Sequence, residues 1–513
     1  MNLYALVLAL IVLTLLAVSL TRLGKVKTRA DYLVAGRSLP AFVLVFTLLS
    51  SWIGSGSLLG GAENAYRHGF AALWTPAGGW AGLALIYFIA PRARRFAQYT
   101  IPDLLEARYN QTARVLGVIA ILFTYTAITS YQFIGGGDIL HLIFPGSITA
   151  IHGRYIVAAF VVLFTAIAGM SSVAYMDVAI GLLAAFTLCI ALPVLVHNFT
   201  FGDFAGWSAI HAALPATHFQ VLGDFSFIQA LELSVPTCLL MLGNQSMYQK
   251  FFSAKSEKDA TRAVTGWIVG TVILESVIVA LAVAGSAVFP TGEVHDHPRE
   301  ILAYIGLHGF QPAQTVTTYA NPAAPIVITT TEVVPAVTLH ALQLLGALLV
   351  GAIFAKIIST ANNYLFSPAT NLVNDIFVRY LKPQASNKEV LLVSRSMVVL
   401  LGAWALYQGL HTELVLKKAL YAYTIYSAAL TPVILAAFYW RRATASAAVA
   451  SIFTGTFVTV FWDSPFIHTH LPAVIAQRDA IFPALLASLA CLLIVSLLTP
   501  RPNLAHLTPF ADN

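Results

Sequence analysis

The sequence predicts an all-α polytopic membrane protein with about thirteen transmembrane helices. Of its 513 residues, 58% are apolar and only 10% are Asp, Glu, Lys or Arg, whereas an ordinary soluble domain has roughly 25% charged residues. The apolar residues also fall into runs of about 20, the length that a helix needs to cross a bilayer. These two observations exclude a water-soluble fold.

The first apolar run, 3–20, has basic residues only on its C-terminal side, beginning at Arg22. A cleavable signal peptide carries its positive charge first, so we expect a retained helix with an external N-terminus. The later runs lie at 40–66, 70–91, 113–140, 153–170, 176–197, 226–250, 263–289, 336–366, 391–410, 416–439, 444–462 and 480–499.

The basic residues are distributed unevenly between the connecting segments. If the spans alternate from an external N-terminus, 21 of the 28 Lys and Arg fall on the cytoplasmic side and six fall outside or at the outer edge. This excess predicts a cell-membrane protein, of the bacterial inner-membrane type, with its C-terminus in the cytoplasm. The net charge of +6 is therefore a topology signal, and we expect no nucleic-acid partner. One basic residue, Lys356, lies inside a predicted span.

Several function classes are disfavoured. The three cysteines lie in apolar runs, which argues against a disulfide framework or a zinc site. No metal-protease, serine-hydrolase or nucleotide-binding motif falls in a span. We therefore expect neither an enzyme nor an ATP-driven pump, and we expect no cofactor and no obligate protein partner.

The second span contains a segment that disfavours a continuous helix. As one helix, 40–66 would be about 40 Å long against a hydrocarbon thickness of roughly 30 Å, and its stretch 50–61 holds four Gly and four Ser. An unwound segment at the bilayer centre is tolerated only beside a protein-lined cavity. Its carbonyls can ligate a cation, and the following half-helix can receive an anionic group. Close helix packing through small residues is the alternative.

The ninth span offers a partner for that segment. Lys356, Ser359, Thr360, Asn363 and Ser367 follow a spacing that places them on one helical face. Adjacent hydroxyls and carbonyls are hard, neutral oxygen donors suited to a monovalent cation. Alternatively, the hydroxyls bond back to their own helix.

These residues resemble the sodium:solute symporter family, whose members include proline, sugar, choline and carboxylate carriers. Five ordered motifs across most of the chain carry the resemblance, at 30–37 with 50–61, 99–103 with 106–109, 243–256, 358–361 and 371–375.

The resemblance implies the inverted-repeat fold of the bacterial leucine transporter, as a single transporter domain. One extra helix at 1–22 would lead a five-plus-five core, with repeats at 40–197 and 226–439, and two further helices would follow at 444–499. The second repeat begins with a span that contains Pro236, and interrupted spans in corresponding positions point to a central binding site.

The resemblance also implies a sodium site. Its ligands would be the backbone carbonyls of Ser50, Ile53 and residue 356 and the side chains of Ser359 and Thr360. The family usually has a small residue at 356, where this chain has lysine. The Lys356 ammonium could replace the sodium ion and make transport proton-coupled or sodium-independent. Alternatively, the side chain points away, pairs with a carboxylate and still offers its carbonyl.

Other ionisable residues also fall in predicted spans, where such groups are functional candidates. Asp177 matches an aspartate that the family often has on the inward sodium path; a carboxylate interacting with a helix N-terminus is the alternative. Glu275 is the natural candidate partner for Lys356. Solvated positions near outer ends would explain Glu63 and Glu232, and His340 is a further candidate.

The family places its solute between several core spans. Matching positions are Gly56 and Ser57 beside the break, Thr237 and Met241 in span 226–250, and Tyr131 or Gln132 in span 113–140. Leucines dominate 239–242, where sugar carriers use polar side chains, so we expect a small solute with one charged head and an apolar body.

The sequence thus predicts a secondary active transporter that works by alternating access. Symport of an amino acid, carboxylate or quaternary amine with sodium is the leading hypothesis, with the proton as the alternative coupling ion. A membrane-embedded solute sensor is the alternative from another class.

Overall fold

The computed structural model describes most of the chain. The described residues are 3–23, 28–96, 99–310, 317–318, 326–327, 336–411, 415–462, 464–472, 475, 478–503, 507 and 510.

Helices make up nearly all of the described structure. They are α1 (Leu3–Leu23), α2 (Arg29–Val34), α3 (Ala41–Trp52), α4 (Ala62–His68), α5 (Trp74–Phe96), α6 (Ile101–Arg108), α7 (Gln111–Ile143), α8 (Ala150–His197), α9 (Trp207–Ala213), α10 (Phe227–Gly243), α11 (Gln245–Ser253), α12 (Glu257–Val288), α13 (Glu293–Asp296), α14 (Ile301–Tyr304), α15 (Ala336–Asn371), α16 (Asn387–Leu410), α17 (Val415–Ala429), α18 (Thr431–Tyr439), α19 (Ala445–Phe461), α20 (Pro465–His470) and α21 (Ile481–Leu498).

Shorter elements join these helices. The 3₁₀ turns are Ala35–Arg37, Gly69–Leu73, Ala216–Phe219 and Pro298–Glu300, and the π-helical turns are Gly56–Gly61, Ile305–Gly309 and Leu372–Leu381. Two small antiparallel hairpins pair Thr200–Phe201 with Phe204–Ala205 and Thr317–Thr318 with Ile326–Val327.

Side-chain caps fix where many helices begin. The hydroxyl or amide oxygen of the residue before the helix accepts a backbone N–H from the first turn at α2, α6, α7, α8, α10, α12, α16 and α19. Each such cap stabilises its helix by roughly 1 kcal/mol because it satisfies a donor that the helix leaves unpaired.

Ten of the thirteen predicted membrane spans match helical stretches of membrane-crossing length. Within the described residues, ten helical stretches are long and apolar enough to cross a membrane, and Leu3–Ala17, Ala41–Trp52 and Ala445–Phe461 are shorter apolar helices. All thirteen predicted runs coincide with helix. The runs 153–170 and 176–197 are the two arms of α8, which bends at Gly169, where a φ of 72° interrupts the helical backbone. The repeat boundaries at 40–197 and 226–439 stay predictions.

Two membrane helices are interrupted. The first is broken between α3 and the π-helical turn, where Ile53 is extended with φ −81° and ψ 99°. The second is broken at Asn244, between α10 and α11, with φ −59° and ψ 112°. The sequence pointed to Pro236 for this second interruption, and that was wrong. Pro236 lies inside a continuous α10, because a proline in a membrane helix removes one backbone hydrogen bond without ending it.

The interrupted helices pack closely against α5 and α15. A Cβ added at Gly78 would lie 2.1 Å from the Ser234 carbonyl oxygen, and one added at Gly82 would lie 2.5 Å from that of Cys238. Glycine at both positions therefore lets α5 and α10 approach backbone to backbone. Small residues serve this purpose in membrane proteins, where van der Waals packing drives helix association.

Candidate functional site

The first break exposes backbone groups that side chains of other helices satisfy. The N–H of Ser55 donates to Gln132 Oε1 over 2.8 Å. On the other side, three carbonyl oxygens surround the hydroxyl of Thr360, at 2.8 Å for Ser50, 3.2 Å for Ile53 and 3.0 Å for Lys356. The break and α15 therefore form one oxygen-rich cluster, in which a single hydroxyl proton serves three acceptors.

A glycine makes this close approach possible. A Cβ added at Gly54 would lie 2.6 Å from Thr360 Oγ1 and 2.7 Å from its Cγ2. Contacts of that length do not occur between real side chains, so residue 54 has to lack a Cβ if the Thr360 hydroxyl is to reach the exposed carbonyls.

The Lys356 side chain lies on the same cluster and is 1% exposed. Its ammonium donates to Ser50 Oγ over 3.0 Å, while its carbonyl faces Thr360. Within the described residues, it forms no ion pair with a carboxylate. The predicted pairing with Glu275 is therefore wrong, since Glu275 has other partners.

Asp177 lies behind the cluster and is fully buried. Its carboxylate accepts hydrogen bonds from the hydroxyls of Thr47 and Ser359 and, over 3.2 Å, from Asn363 Nδ2. It lies eight residues beyond the bend at Gly169, so it does not sit in the first turn of a helix. The alternative explanation through a helix N-terminus is thus wrong.

The five residues predicted to bind sodium are brought together, with one difference in orientation. The carbonyls of Ser50, Ile53 and Lys356 converge on Thr360, as the family's pattern implied. The Ser359 hydroxyl instead points to Asp177. Their role in binding sodium, and that of Asp177 in an ion path, stay predictions.

A small internal cavity of about 40 Å³ adjoins the first break. It offers the space of a few water molecules, so a solute could enter only after the surrounding helices move apart. Its lining comprises Trp52, Gly56, Ser57, Gly61, Ala72, Thr75, Pro76, Thr237, Glu275, Ile278, Val279, Leu416, Ala419 and Tyr423.

Glu275 is the single ionisable carboxylate in that lining. It is 3% exposed and accepts hydrogen bonds from Trp52 Nε1 and Trp80 Nε1, each over 2.8 Å, and from Ser57 Oγ over 3.3 Å. Two indoles and one hydroxyl thus hold the carboxylate at the cavity.

The residues predicted to bind solute are placed differently from one another. Gly56, Ser57 and Thr237 line the cavity. The Tyr131 hydroxyl lies 3.3 Å from that of Tyr423. Gln132 is occupied by the Ser55 N–H, and Met241 is fully buried against α5 beside Gly82.

The remaining ionisable candidates lie at the periphery. Glu63 is partly exposed beside Arg67, 3.5 Å away. Glu232 lies 3.9 Å from Arg478, and His340 is exposed. The side chains of Glu63 and Glu232 are thus partly exposed, each near an arginine, and their solvated interpretation stays a prediction.

Sequence reasoning missed Lys250 and Trp80. Lys250, which was counted with the cytoplasmic basic residues, is 1% exposed, and its ammonium donates to the carbonyl and hydroxyl of Ser246. Its place six residues after the Asn244 break was the available signal. Nothing in the sequence linked Trp80 to a glutamate 195 positions away.

The motifs at 99–109, 243–256 and 371–375 meet in one polar network. Thr100 Oγ1 donates to Asp375 over 2.9 Å, and Asn374 Nδ2 donates to Asp103 over 3.0 Å. Arg114 forms ion pairs with Asp103 and with Glu106. Gln245 joins them, since its side chain accepts the Ile101 N–H and donates to Asn371, so the network links α6, α7, α11 and the C-terminal end of α15 with its π-helical turn.

Comparison with known proteins places the chain among membrane symporters. The model of the sodium:solute symporter family matches residues 32–455. A sodium/proline symporter of Staphylococcus aureus is 24% identical over 497 residues, which cover 92% of this chain and 88% of the relative. The sodium/proline symporter of S. aureus strain JH9 matches to the same extent.

Two solved structures share the fold. A Na⁺-coupled sialic acid symporter in a substrate-bound outward-open state superposes with a TM-score of 0.75 at 16% identity, covering 98% of this chain and 99% of its own. Mhp1, a nucleobase-cation-symport-1 family transporter in a closed conformation, gives 0.54 at 12% identity, covering 93% and 97%. The predicted fold class, that of the leucine transporter, is thereby confirmed.

Proposed function

The chain belongs to the sodium:solute symporter family, and on that premise we propose that the first helix break holds the sodium ion whose gradient drives uptake. As a member, the protein is a secondary active transporter and not an enzyme. The observation that supports the site is the convergence of the Ser50, Ile53 and Lys356 carbonyls within 3.2 Å of the Thr360 hydroxyl.

The chemistry of this cluster suits a monovalent cation. Carbonyl and hydroxyl oxygens are the hard, neutral donors that such ions prefer. Rotation of the Thr360 O–H away from the carbonyls would turn its lone pairs toward the ion. The Ser50 and Ile53 carbonyls would then lose the Thr360 hydroxyl as a donor, and the ion would take its place.

Asp177 would bind the sodium ion after the ion leaves the first break. Its carboxylate holds the Ser359 hydroxyl and the Asn363 amide, and both side chains belong to the α15 face that carries Thr360. A departing cation thus meets a charged oxygen ligand one helical turn away. This arrangement supports Asp177 as part of an ion path.

The solute is a small organic molecule that binds at the cavity beside the break. Among the relatives, the named solutes are proline and sialic acid. Gly56, Ser57 and Thr237 reach the cavity directly, and apolar side chains such as Ile278 and Val279 form much of its wall. A solute with one charged head and an apolar body fits this lining.

The charge distribution supports an orientation in the cell membrane. Most basic residues lie in the segments that would face the cytoplasm if the N-terminus is outside. The Arg114 network of α6 and α7 then closes the cytoplasmic end, and its opening would release solute and sodium inward, as alternating access requires.

The second candidate function is proton-coupled transport, in which the Lys356 ammonium takes the place of the sodium ion. The Lys356 ammonium lies 3.0 Å from Ser50 Oγ, beside the oxygen cluster, and a positive charge there would compete with sodium. If it acts as the cation, loading and unloading of its proton would drive the cycle.

Uptake by proteoliposomes distinguishes the two candidates. Radiolabelled amino acids, carboxylates and quaternary amines are offered under an inward sodium gradient or an inward proton gradient, with wild type and Lys356→Met. We expect sodium-driven uptake in the wild type that Lys356→Met retains, because residue 356 contributes its backbone carbonyl to the site. Sodium-independent uptake that follows the proton gradient and disappears in Lys356→Met would establish the second candidate.

A further inference from the structure

The Glu275 carboxylate has partners that are all electrically neutral. Trp52, Trp80 and Ser57 supply its hydrogen bonds, and in the part of the chain that the structure describes no Lys, Arg or His forms an ion pair with it. Buried carboxylates in proteins are ordinarily paired with a cation or bound to a metal. Three neutral donors hold this one in place without supplying the opposite charge.

The position of the Glu275 carboxylate indicates where a positively charged partner would bind. Glu275 lines the cavity at the first break, and the Trp52 and Tyr423 rings line the same space, stacked with their centroids 6.1 Å apart. Aromatic faces attract cations through the ring quadrupole, most strongly where water is excluded. The Glu275 carboxylate and the Trp52 and Tyr423 rings therefore line one cavity with groups that attract an organic cation.

The three hydrogen bonds also orient the carboxylate. Trp52 and Ser57 bond one oxygen, and Trp80 bonds the other. Because each indole N–H donates in one direction, the carboxylate is held with little rotational freedom, and one lone pair, on the oxygen bonded to Trp80, is left for a ligand. Such preorganisation lowers the entropy lost on binding.

We propose that the transported solute carries a positively charged nitrogen, as an amine, an amino acid or a quaternary ammonium, which binds at Glu275 beside the stacked Trp52 and Tyr423 rings. This inference rests on the proposed function and narrows its solute class. It excludes solutes whose only charge is negative. The solute's ammonium completes the ion pair that the protein lacks.

Binding to the purified full-length protein tests the proposal without requiring transport. The probes are proline, glycine betaine and choline, each with a cationic nitrogen, together with 3,3-dimethylbutan-1-ol, the neutral isostere of choline, and propionate. Ligand-induced shifts of the melting temperature in sodium-containing buffer report binding. We expect at least one cationic probe to stabilise the protein, and neither the isostere nor propionate to do so.

Substitution of the carboxylate provides the second arm. Glu275→Gln keeps the shape and one acceptor oxygen but removes the charge and replaces the other oxygen with an NH₂ donor, so the affinity for the cationic probe should fall at least ~30-fold, as when one partner of a buried charge pair is lost. Glu275→Asp should retain part of the affinity, which shows that a loss is not misfolding. Glu232→Gln, at the outer end of α10, is the matched control and should behave as wild type.

The outcomes separate this inference from the proposed function. Stabilisation by the neutral isostere or propionate equal to that by a cationic probe, an unchanged affinity in Glu275→Gln, or no response to any cationic probe would overturn the inference. Sodium-driven uptake of a solute without a cationic nitrogen would also overturn it, while leaving the proposed function intact. Binding of a cationic probe without sodium-driven uptake would support the inference and contradict the proposed function.

Discussion

The two helix breaks differ in how their exposed polar groups are hydrogen-bonded. At the first, between α3 and the π-helical turn, the Ser50 and Ile53 carbonyls share one neutral hydroxyl with a third carbonyl. At the second, Asn244 is held by fixed side chains: Tyr125 donates to its Oδ1, its Nδ2 donates to Tyr364, and Tyr426 accepts the N–H of Gln245.

The difference favours the first break as the proposed ion site. Acceptors outnumber donors at the first, so a cation improves the satisfaction of its backbone. At the second, tyrosines from α7, α15 and α17 bond the Asn244 side chain and the N–H groups of Gln245 and Ser246 individually. The side chains that face an interrupted membrane helix thus decide whether its exposed backbone groups are available to an ion or are bonded within the protein.

The largest effect is expected from a side chain added at the first break. Gly54→Ala places its Cβ 2.6 Å from Thr360 Oγ1, and the buried threonine has no room to move. We expect the free energy of unfolding to fall by about 1–3 kcal/mol and sodium-stimulated uptake to fall at least ~10-fold.

A neighbouring glycine supplies the control. In Gly61→Ala, on the same interrupted helix, the nearest atom is a carbonyl oxygen 3.5 Å away, which is ordinary contact. Thermal unfolding is measured for both variants, and the sodium concentration for half-maximal uptake is compared instead of the maximal rate, because Gly61 lines the solute cavity. Equal loss in both would show that the approach of residue 54 to Thr360 has no special role.

Removal of the shared hydroxyl should have the next largest effect. Thr360→Val keeps the shape of the side chain but removes the hydroxyl that donates to the Ser50 and Ile53 carbonyls at the break and removes one proposed sodium ligand. The unsatisfied groups cost about 1–3 kcal/mol, and we expect the sodium concentration for half-maximal uptake to rise about tenfold. A sodium titration of initial uptake rates gives this value, and an unchanged half-maximal concentration would contradict the assignment.

The smallest functional effect is expected at the second break. Tyr125→Phe removes the hydroxyl that donates to Asn244 and accepts the Ser246 N–H over 3.0 Å. Leaving these buried groups unpaired should lower the free energy of unfolding by about 1–3 kcal/mol. The sodium dependence of the folded protein should stay within about twofold of wild type. A larger change would mean that the second break also takes part in sodium binding.

The first break was predictable because its cause is local. Glycine and serine at 50–61 weaken a helix wherever they occur, so composition alone located it. The second break has no such composition, since a single Asn244 after Gly243 carries it, and Pro236 gave a false signal. Its geometry depends on tyrosines 119 and 120 positions away in the chain.

The candidate site was predictable to a similar degree. The five predicted sodium-binding residues were found through the family's motifs, and the structure brings them together. The hydrogen-bond partners of Glu275 and the burial of Lys250 could not be predicted from the sequence, because they depend on how α5, α11 and α12 pack. The side-chain direction of Lys356 was likewise open until the position of Ser50 was known.

Hydrogen–deuterium exchange of the wild-type protein tests the central claim most directly, because it observes both breaks in one sample. Exchange is compared in sodium and in potassium at equal ionic strength. If the first break binds sodium, the amides of 53–58 should exchange more slowly in sodium, since an ion suppresses local opening, while those of 244–248 remain unchanged. Equal rates in both salts at 53–58, or protection confined to 244–248, would contradict it.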